Sequence, residues 1–169
     1  PGKKTIYLLA DHFFRFWYRF VPANVSAIDS GRITKTYPRT IKQHFSDYMG
    51  LIFEKMCQDY LLYYSENLPI EISEIGQWWG TDQQKKKQIQ IDIVGTPVEG
   101  SDYVIGSCKY RNEKIGLDEL NLLQEYATVF GKGKNYYYYI FSKGGFTEGL
   151  LKAQERGEVH LLTLGDIYR

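Results

Sequence analysis

The chain has 169 residues, of which 43% are hydrophobic and 24% charged, and this is enough for an ordinary domain with its own core. The formal net charge of +1 provides no strong field toward nucleic acid, and no stretch approaches the 18 apolar residues of a membrane-spanning helix. Cys57 and Cys108 lie far apart in apolar segments, and the three histidines are scattered. Neither a disulfide framework nor a zinc site is therefore expected, and the thiols predict a cytoplasmic protein.

The N-terminal part of the chain predicts a short strand at residues 3–9 and one aromatic helix. Asp11 is a suitable N-cap for a helix over residues 12–20, which Pro22 ends. Residues 21–38 are polar and contain glycine and proline, which predicts a linker or crossing loop. The first residue is not a methionine, so we expect a piece of a longer protein.

A long helix and three strands are predicted next. Apolar residues recur at spacings of three and four over residues 40–65, which is typical of a helix covered on more than one side. Strand patterns follow at 71–79, 88–94 and 103–110, separated by turn residues. In the second of these strands, alternation predicts one apolar face and one polar face, the apolar one formed by Ile89, Ile91 and Ile93.

The C-terminal part predicts two helices that alternate with two strands. The helices are expected at 117–129 and 147–156, and the strands at 135–142 and 158–163. From residue 40 onward, the order is helix, three strands, helix, strand, helix, strand. This order predicts an α/β protein of the mixed α+β kind, with a mixed sheet and helices on both faces.

Four residues are candidates for chemistry. Ser107 and Lys109 share one face of the third strand, and a hairpin with the second strand brings Asp92 close to them. Phosphodiester hydrolysis uses Mg²⁺ held by carboxylates and a cation near the attacking water. Asp92 is the expected metal ligand, Lys109 orients the water, and Glu54 on the long helix is the expected further ligand or water-positioning group. A simple ion pair between Asp92 and Lys109 at the strand ends is the structural alternative.

The element order and the spacing of Asp92 and Lys109 resemble the PD-(D/E)XK nuclease superfamily over roughly residues 40–165. The resemblance implies a restriction-endonuclease-like αβββαβ core with Mg²⁺ as cofactor. It places the family's strand acid at Asp92, its lysine at Lys109 and its helix glutamate at Glu54. The second acid of the motif falls on Ser107, and a neutral hydroxyl is a poor Mg²⁺ ligand beside a carboxylate.

Two consequences of the serine at position 107 remain open. In some members of this superfamily the missing acid has moved, and Glu54 or Glu113 is a candidate to compensate for Ser107. In others cleavage has been lost, and the fold serves binding or assembly. A glutamine on the following helix of some relatives corresponds to Gln124.

Residues 7–21 resemble a segment of the archaeal-type (DEXX-box) AAA+ ATPases, where it joins a winged helix to a C-terminal domain of unknown function. Four further segments resemble that C-terminal domain in order: 50–54, 91–94, 106–110 and 161–167. The resemblance implies that residues 1–38 end an upstream winged-helix region and that 39–169 form the nuclease-like domain. It also implies an upstream ATPase domain as partner and site of ATP binding, because this chain has no P-loop.

Three hypotheses follow. The first is a nuclease-fold domain with a degenerate active site that contacts DNA or a protein. The second is an active Mg²⁺-dependent DNA endonuclease that uses Glu54, Asp92 and Lys109, and the third is a purely structural or regulatory interaction domain.

Trp78 and Trp79 are assigned to the core and sheet edge in preference to a base-stacking surface.

Overall fold

The computed structural model describes residues 11–168. These residues divide into two compact units, the first ending at Ile52 and the second beginning at Phe53. The strand expected at 3–9 lies outside the described residues. The domain limits expected from the sequence, 1–38 and 39–169, remain a proposal.

Helix α1, His12–Phe20, begins as the sequence predicts. The Asp11 carboxylate accepts a hydrogen bond of 3.0 Å from the Phe14 amide, which satisfies one of the free N–H groups of the first turn. The core of this unit contains Phe20, Ile41 and Tyr48. The rings of Phe20 and Tyr48 pack edge to face within this core, with their centroids 5.6 Å apart.

The expectation of a linker over residues 21–38 is wrong. This segment forms a 3-10 turn at Pro22–Asn24, helix α2 at Val25–Asp29, helix α3 at Ile33–Thr36 and a π-helical turn at Tyr37–Ile41. Pro22 lies at the start of the 3-10 turn, where the missing N–H costs little, and Pro38 lies in the π-helical turn that follows directly on α3. Helix α1 ends at Phe20 as predicted from Pro22, so Pro22 follows the end of one helix and starts the next helical turn.

Helix α4 covers Lys42–Asp59 and continues into a π-helical turn at Tyr60–Tyr64. Five strands follow with their helices, and the strand positions predicted from the sequence are confirmed. They are β1 Ile72–Asp82, β2 Lys87–Pro97, β3 Asp102–Lys109, β4 Asn135–Ser142 and β5 His160–Thr163. The helices are α5 Leu117–Phe130, α6 Glu148–Glu155 and α7 Leu164–Ile167, the last of which the sequence pattern did not predict.

The strands form one mixed sheet in the order β1-β2-β3-β4-β5. The β1–β2 and β2–β3 pairs are antiparallel, and the β3–β4 and β4–β5 pairs are parallel. Hairpin turns can join the antiparallel strands, whereas each parallel pair needs a crossover, which α5 and α6 provide. The prediction of a mixed α+β fold is confirmed at this level.

Helices cover both faces of this sheet. On one face Ile105 and Ile140 pack in a cluster with Leu120 and Leu123 of α5. On the other face Val104 and Phe141, their neighbours along the strands, pack in a cluster with Phe53, Cys57 and Leu61. The sheet is therefore buried on both sides at β3 and β4, which explains the near-continuous apolar runs of these strands. Within residues 11–168, no helix has both the length and the apolar character needed to cross a membrane.

Candidate active site

An irregularity in β2 lies at Asp92. Gly76 pairs with Val94 and Trp78 pairs with Ile91, so one residue of β1, Gln77, lies opposite two residues of β2. This is the geometry of a β-bulge, which bends a strand and redirects its side chains. The expectation that the three isoleucines of β2 share one face is therefore wrong, because Ile91 packs on the α5 side and Ile93 on the α4 side.

Strands β2 and β3 separate at the same point. Their pairing extends over Ile93–Gly95 of β2 and ends at Gly106 of β3. Beyond it, the Cys108 amide donates a hydrogen bond of 2.9 Å to the Asp92 carboxylate, and the Ser107 hydroxyl oxygen lies 3.4 Å from the same carboxylate oxygen. The Asp92 carboxylate thus accepts the hydrogen bond that the Cys108 amide would otherwise donate to a backbone carbonyl of β2. This bond holds the carboxylate where β2 and β3 separate.

The buried carboxylate of Asp92 is costly to ionise. Burial raises its pKa, and the negative charge of Glu119 adds to this rise. The Cys108 amide, the Lys109 ammonium and the Ser107 hydroxyl act in the opposite direction. Asp92 is therefore an acid whose charged form depends on its neighbours.

Glu119, in the first turn of α5, is a site residue that the sequence interpretation missed. Its carboxylate accepts a hydrogen bond of 2.7 Å from the Ser107 hydroxyl and lies 3.1 Å from the Lys109 ammonium. Glu119 is only 8% exposed and Ser107 only 3%. A carboxylate from α5 therefore lies directly against the strand position where the motif lacks one.

The ion pair of Lys109 with Asp92, the structural alternative considered from the sequence, does not form a close contact. The structure pairs the Lys109 ammonium with Glu119 instead, and Lys109 acts on Asp92 only through its charge. A signal for Glu119 does exist in the sequence. It lies four residues before Leu123 and eight before Ala127, both buried, so it occupies the apolar stripe of α5. A carboxylate on such a stripe needs a partner, and this requirement could have identified it.

Glu54 of α4 completes the cluster. Its carboxylate accepts a short hydrogen bond from the side-chain amide of Gln77, the residue opposite the bulge. Burial raises the pKa of Glu54 to about 7, and the nearby charge of Asp92 contributes, while Gln77 and Lys109 lower it. The structure thus brings Asp92, Ser107 and Lys109 together with a fifth residue, Glu119, and places Glu54 near enough to interact electrostatically with Asp92 and Lys109 but outside the lining of the cavity. Glu113 and Gln124 are exposed on the surface and do not line the site cavity.

A cavity of about 210 Å³ opens at this site. It lies between the free edge of β2 and the side chains of α5. Its polar wall comes from Asp92, Ser107, Lys109 and Glu119, and its other lining residues are Gln88–Ile91, Gly106, Leu122, Leu123 and Tyr126.

The chemistry of the donors decides whether they suit the expected Mg²⁺. Within residues 11–168, no group of three or more His, Cys, Asp or Glu side chains is arranged to hold a metal. Mg²⁺ in phosphoryl-transfer sites usually takes only one or two carboxylates and keeps water and substrate phosphate as its other ligands. Asp92 and Glu119, which lie on two sides of the Ser107 hydroxyl at 3.4 and 2.7 Å, fit such a site.

Residues 17–121 match a family model for archaeal and bacterial proteins of unknown function, DUF234. The chain belongs to this family. The matched range includes Glu54, Asp92, Ser107, Lys109 and Glu119. The DUF234 assignment agrees with the C-terminal domain of unknown function expected from the sequence.

One relative is an uncharacterised protein, MJECL04, from Methanocaldococcus jannaschii. It is 27% identical over 144 residues, which are 78% of this chain. The match covers 31% of the relative, so this chain spans about a third of the length of that protein. No solved structure matches the chain.

Proposed function

We propose that this DUF234 domain is a metal-dependent nuclease with a restriction-endonuclease-like core, and that Glu119 supplies the acid that Ser107 lacks. The observation that carries the proposal is the hydrogen bond of 2.7 Å between the Ser107 hydroxyl and the Glu119 carboxylate. A carboxylate at this position restores the pair of acids that phosphodiester hydrolysis requires. The active hypothesis is therefore favoured over the degenerate one.

Asp92 and Glu119 are the residues that would hold Mg²⁺. Bound there, the cation would stabilise the charge that develops on the phosphate in the transition state. The Cys108 amide orients the Asp92 carboxylate, and the Ser107 hydroxyl fixes Glu119. Neither acid depends on a mobile loop, because β2 carries Asp92 and the first turn of α5 carries Glu119.

Lys109 and Glu54 have separate roles in this scheme. The ion pair with Glu119 holds the Lys109 ammonium at the mouth of the cavity, where it donates to a phosphate oxygen or to the attacking water. Gln77 holds the Glu54 carboxylate. Glu54 does not line the cavity, and its role in the scheme is electrostatic: with its pKa raised to about 7, it changes charge near neutral pH beside Asp92 and Lys109.

A second candidate is the domain with a degenerate site that binds DNA or a protein without cleavage. One observation favours it: among the described residues, no buried side-chain nitrogen or oxygen lacks a hydrogen-bond partner. In that case the ion pair of Lys109 with Glu119 only stabilises the fold, and the site binds no cation.

We also propose that the domain forms the C-terminal part of an AAA+ ATPase, with the winged-helix and ATPase domains upstream. The 31% span of the relative leaves room for them.

The test is metal-dependent cleavage of plasmid and of single-stranded DNA with Mg²⁺ or Mn²⁺. We expect Glu119→Gln, Asp92→Asn and Lys109→Met each to lower the rate by about a hundredfold or more, as the loss of one charge-stabilising group does in other enzymes. Glu113→Gln is the matched control, since that acid is exposed and lies away from the cavity.

A carboxylate swap gives the sharpest result. In the double variant Ser107→Glu with Glu119→Ser, the acid moves from α5 to β3, and we expect activity to recover relative to Glu119→Gln alone. Thermal melts of each variant separate lost chemistry from lost folding. Cleavage that Glu119→Gln leaves intact, or no metal-dependent cleavage by the folded protein, would refute the nuclease proposal.

A further inference from the structure

The two adjacent tryptophans of β1 point to opposite faces of the sheet. Trp78 packs edge to face on Phe130 of α5, with ring centroids 5.3 Å apart. Since side chains alternate along a strand, Trp79 points to the other face, where it is 57% exposed. Burial therefore explains Trp78, whereas more than half of the Trp79 surface remains open to solvent.

Polar side chains that can hydrogen-bond to nucleotides surround Trp79. Gln90 pairs with Trp79 across the strands, and Gln88 pairs with Thr81 in the same way, so these four side chains share one face. All four are exposed. We call this set, Trp79, Thr81, Gln88 and Gln90, the hairpin platform.

Positive charge lies at the end of the platform. The turn between β1 and β2 carries Lys85 and Lys86, and Lys87 begins β2. The buried Asp82 shapes the turn by accepting hydrogen bonds from the amides of Gln84 and Lys85. The Lys85 ammonium lies 2.6 Å from Glu125 of α5. Lys86 and Lys87 are exposed, and the described residues include no ion pair for either of them.

The platform is continuous with the candidate active site. Gln77 precedes Trp79 by two residues and lies on the same face of β1, where it holds Glu54. Gln88 and Gln90 also line the site cavity. The cavity itself lies on the α5 side, so a strand bound along the platform would run from the lysines and pass over the free edge of β2 to reach the opening at Asp92.

We propose that the hairpin platform binds single-stranded nucleic acid, with one base stacked on the Trp79 indole and the backbone held by Lys86 and Lys87. An accessible indole face can stack on a base that is unpaired, and basic side chains beside stacking aromatics are typical of single-strand binding. The proposal rests on the nuclease function for its purpose, because it names the substrate class that would be led to Asp92. It concerns binding alone and can be measured without cleavage.

The experiment measures binding of fluorescein-labelled oligothymidylate to the chain by anisotropy, in EDTA so that no cleavage occurs. We expect Trp79→Ala to weaken binding by about tenfold, and Trp79→Phe to keep most of the affinity because a phenyl ring still stacks. The double variant Lys86→Gln with Lys87→Gln should reduce the slope of log K against log salt by roughly 1.4, about 0.7 for each phosphate contact to a single strand.

The matched control is Trp17→Ala, which removes a similarly exposed indole from α1 and should leave binding unchanged. The far-ultraviolet circular dichroism of each variant verifies the fold. Binding in EDTA, together with no cleavage in the separate assay with Mg²⁺ or Mn²⁺, would support the platform and overturn the nuclease proposal. Cleavage with unchanged binding by Trp79→Ala would overturn the platform alone, as would tighter binding of duplex than of single strand. No binding at low salt would overturn the platform as well.

Discussion

Glu54 makes the stability of this domain depend on pH in a defined direction. Its carboxylate faces Asp92 from β2, Lys109 from β3 and Gln77 from β1. Burial and the charge of Asp92 raise its pKa from 4.5 to about 7. The folded protein therefore keeps a proton on Glu54 over a range of pH in which the unfolded chain has lost it.

The sign follows from the proton balance. Below about pH 4.5 Glu54 is protonated in both states, and above about pH 7 it is ionised in both. Between these values the unfolded state binds fewer protons, so the free energy of unfolding falls as the pH rises. The full shift corresponds to at most about 3 kcal/mol, at 1.36 kcal/mol for each pKa unit. Because Glu54 is only half-buried, solvent screening reduces this to about 1–2 kcal/mol.

The assay is urea unfolding in EDTA at about pH 5 and about pH 8, followed by circular dichroism. We expect the wild type to lose about 1–2 kcal/mol between the two conditions through Glu54, and Glu54→Gln to lose correspondingly less. Asp92→Asn removes the repulsion that helps raise the pKa of Glu54, so it should also flatten the dependence. A wild type as stable at the higher pH as at the lower, or a Glu54→Gln variant with the same slope, would contradict the argument.

Two further predictions concern packing. The indole of Trp78 lies so close over Gly80 that any β-carbon there would collide with it. Gly80→Ala should therefore displace the indole from Phe130, destabilise the fold by about 1–3 kcal/mol in urea and shift the tryptophan emission to the red, and an unchanged urea midpoint would count against this packing. Phe53 is 1% exposed at the centre of the α4 side of the core, so Phe53→Ala should cost about 3–5 kcal/mol. A loss of less than about 1 kcal/mol would mean that the site can collapse around the smaller side chain.

The order of strands and helices from residue 40 onward follows from local patterns. Strands β1 to β5 and helices α4 to α6 form where apolar spacing and turn residues predict them. Local rules were misleading where one residue type has two uses. Pro22 follows the end of α1 as predicted and also starts a 3-10 turn, and Pro38 lies within a π-helical turn, so neither proline makes residues 21–38 a loop.

In the site, the sequence by itself determined Asp92, Ser107, Lys109 and Glu54, because strand alternation and motif spacing are local properties. Only the tertiary structure decided that Glu119 reaches Ser107 and Lys109. That contact joins the first turn of a helix to a strand twelve residues earlier, and it depends on how α5 packs on the sheet. The bulge at Asp92 and the exposure of Trp79 depend in the same way on the register of β1 against β2, which no pattern within either strand specifies.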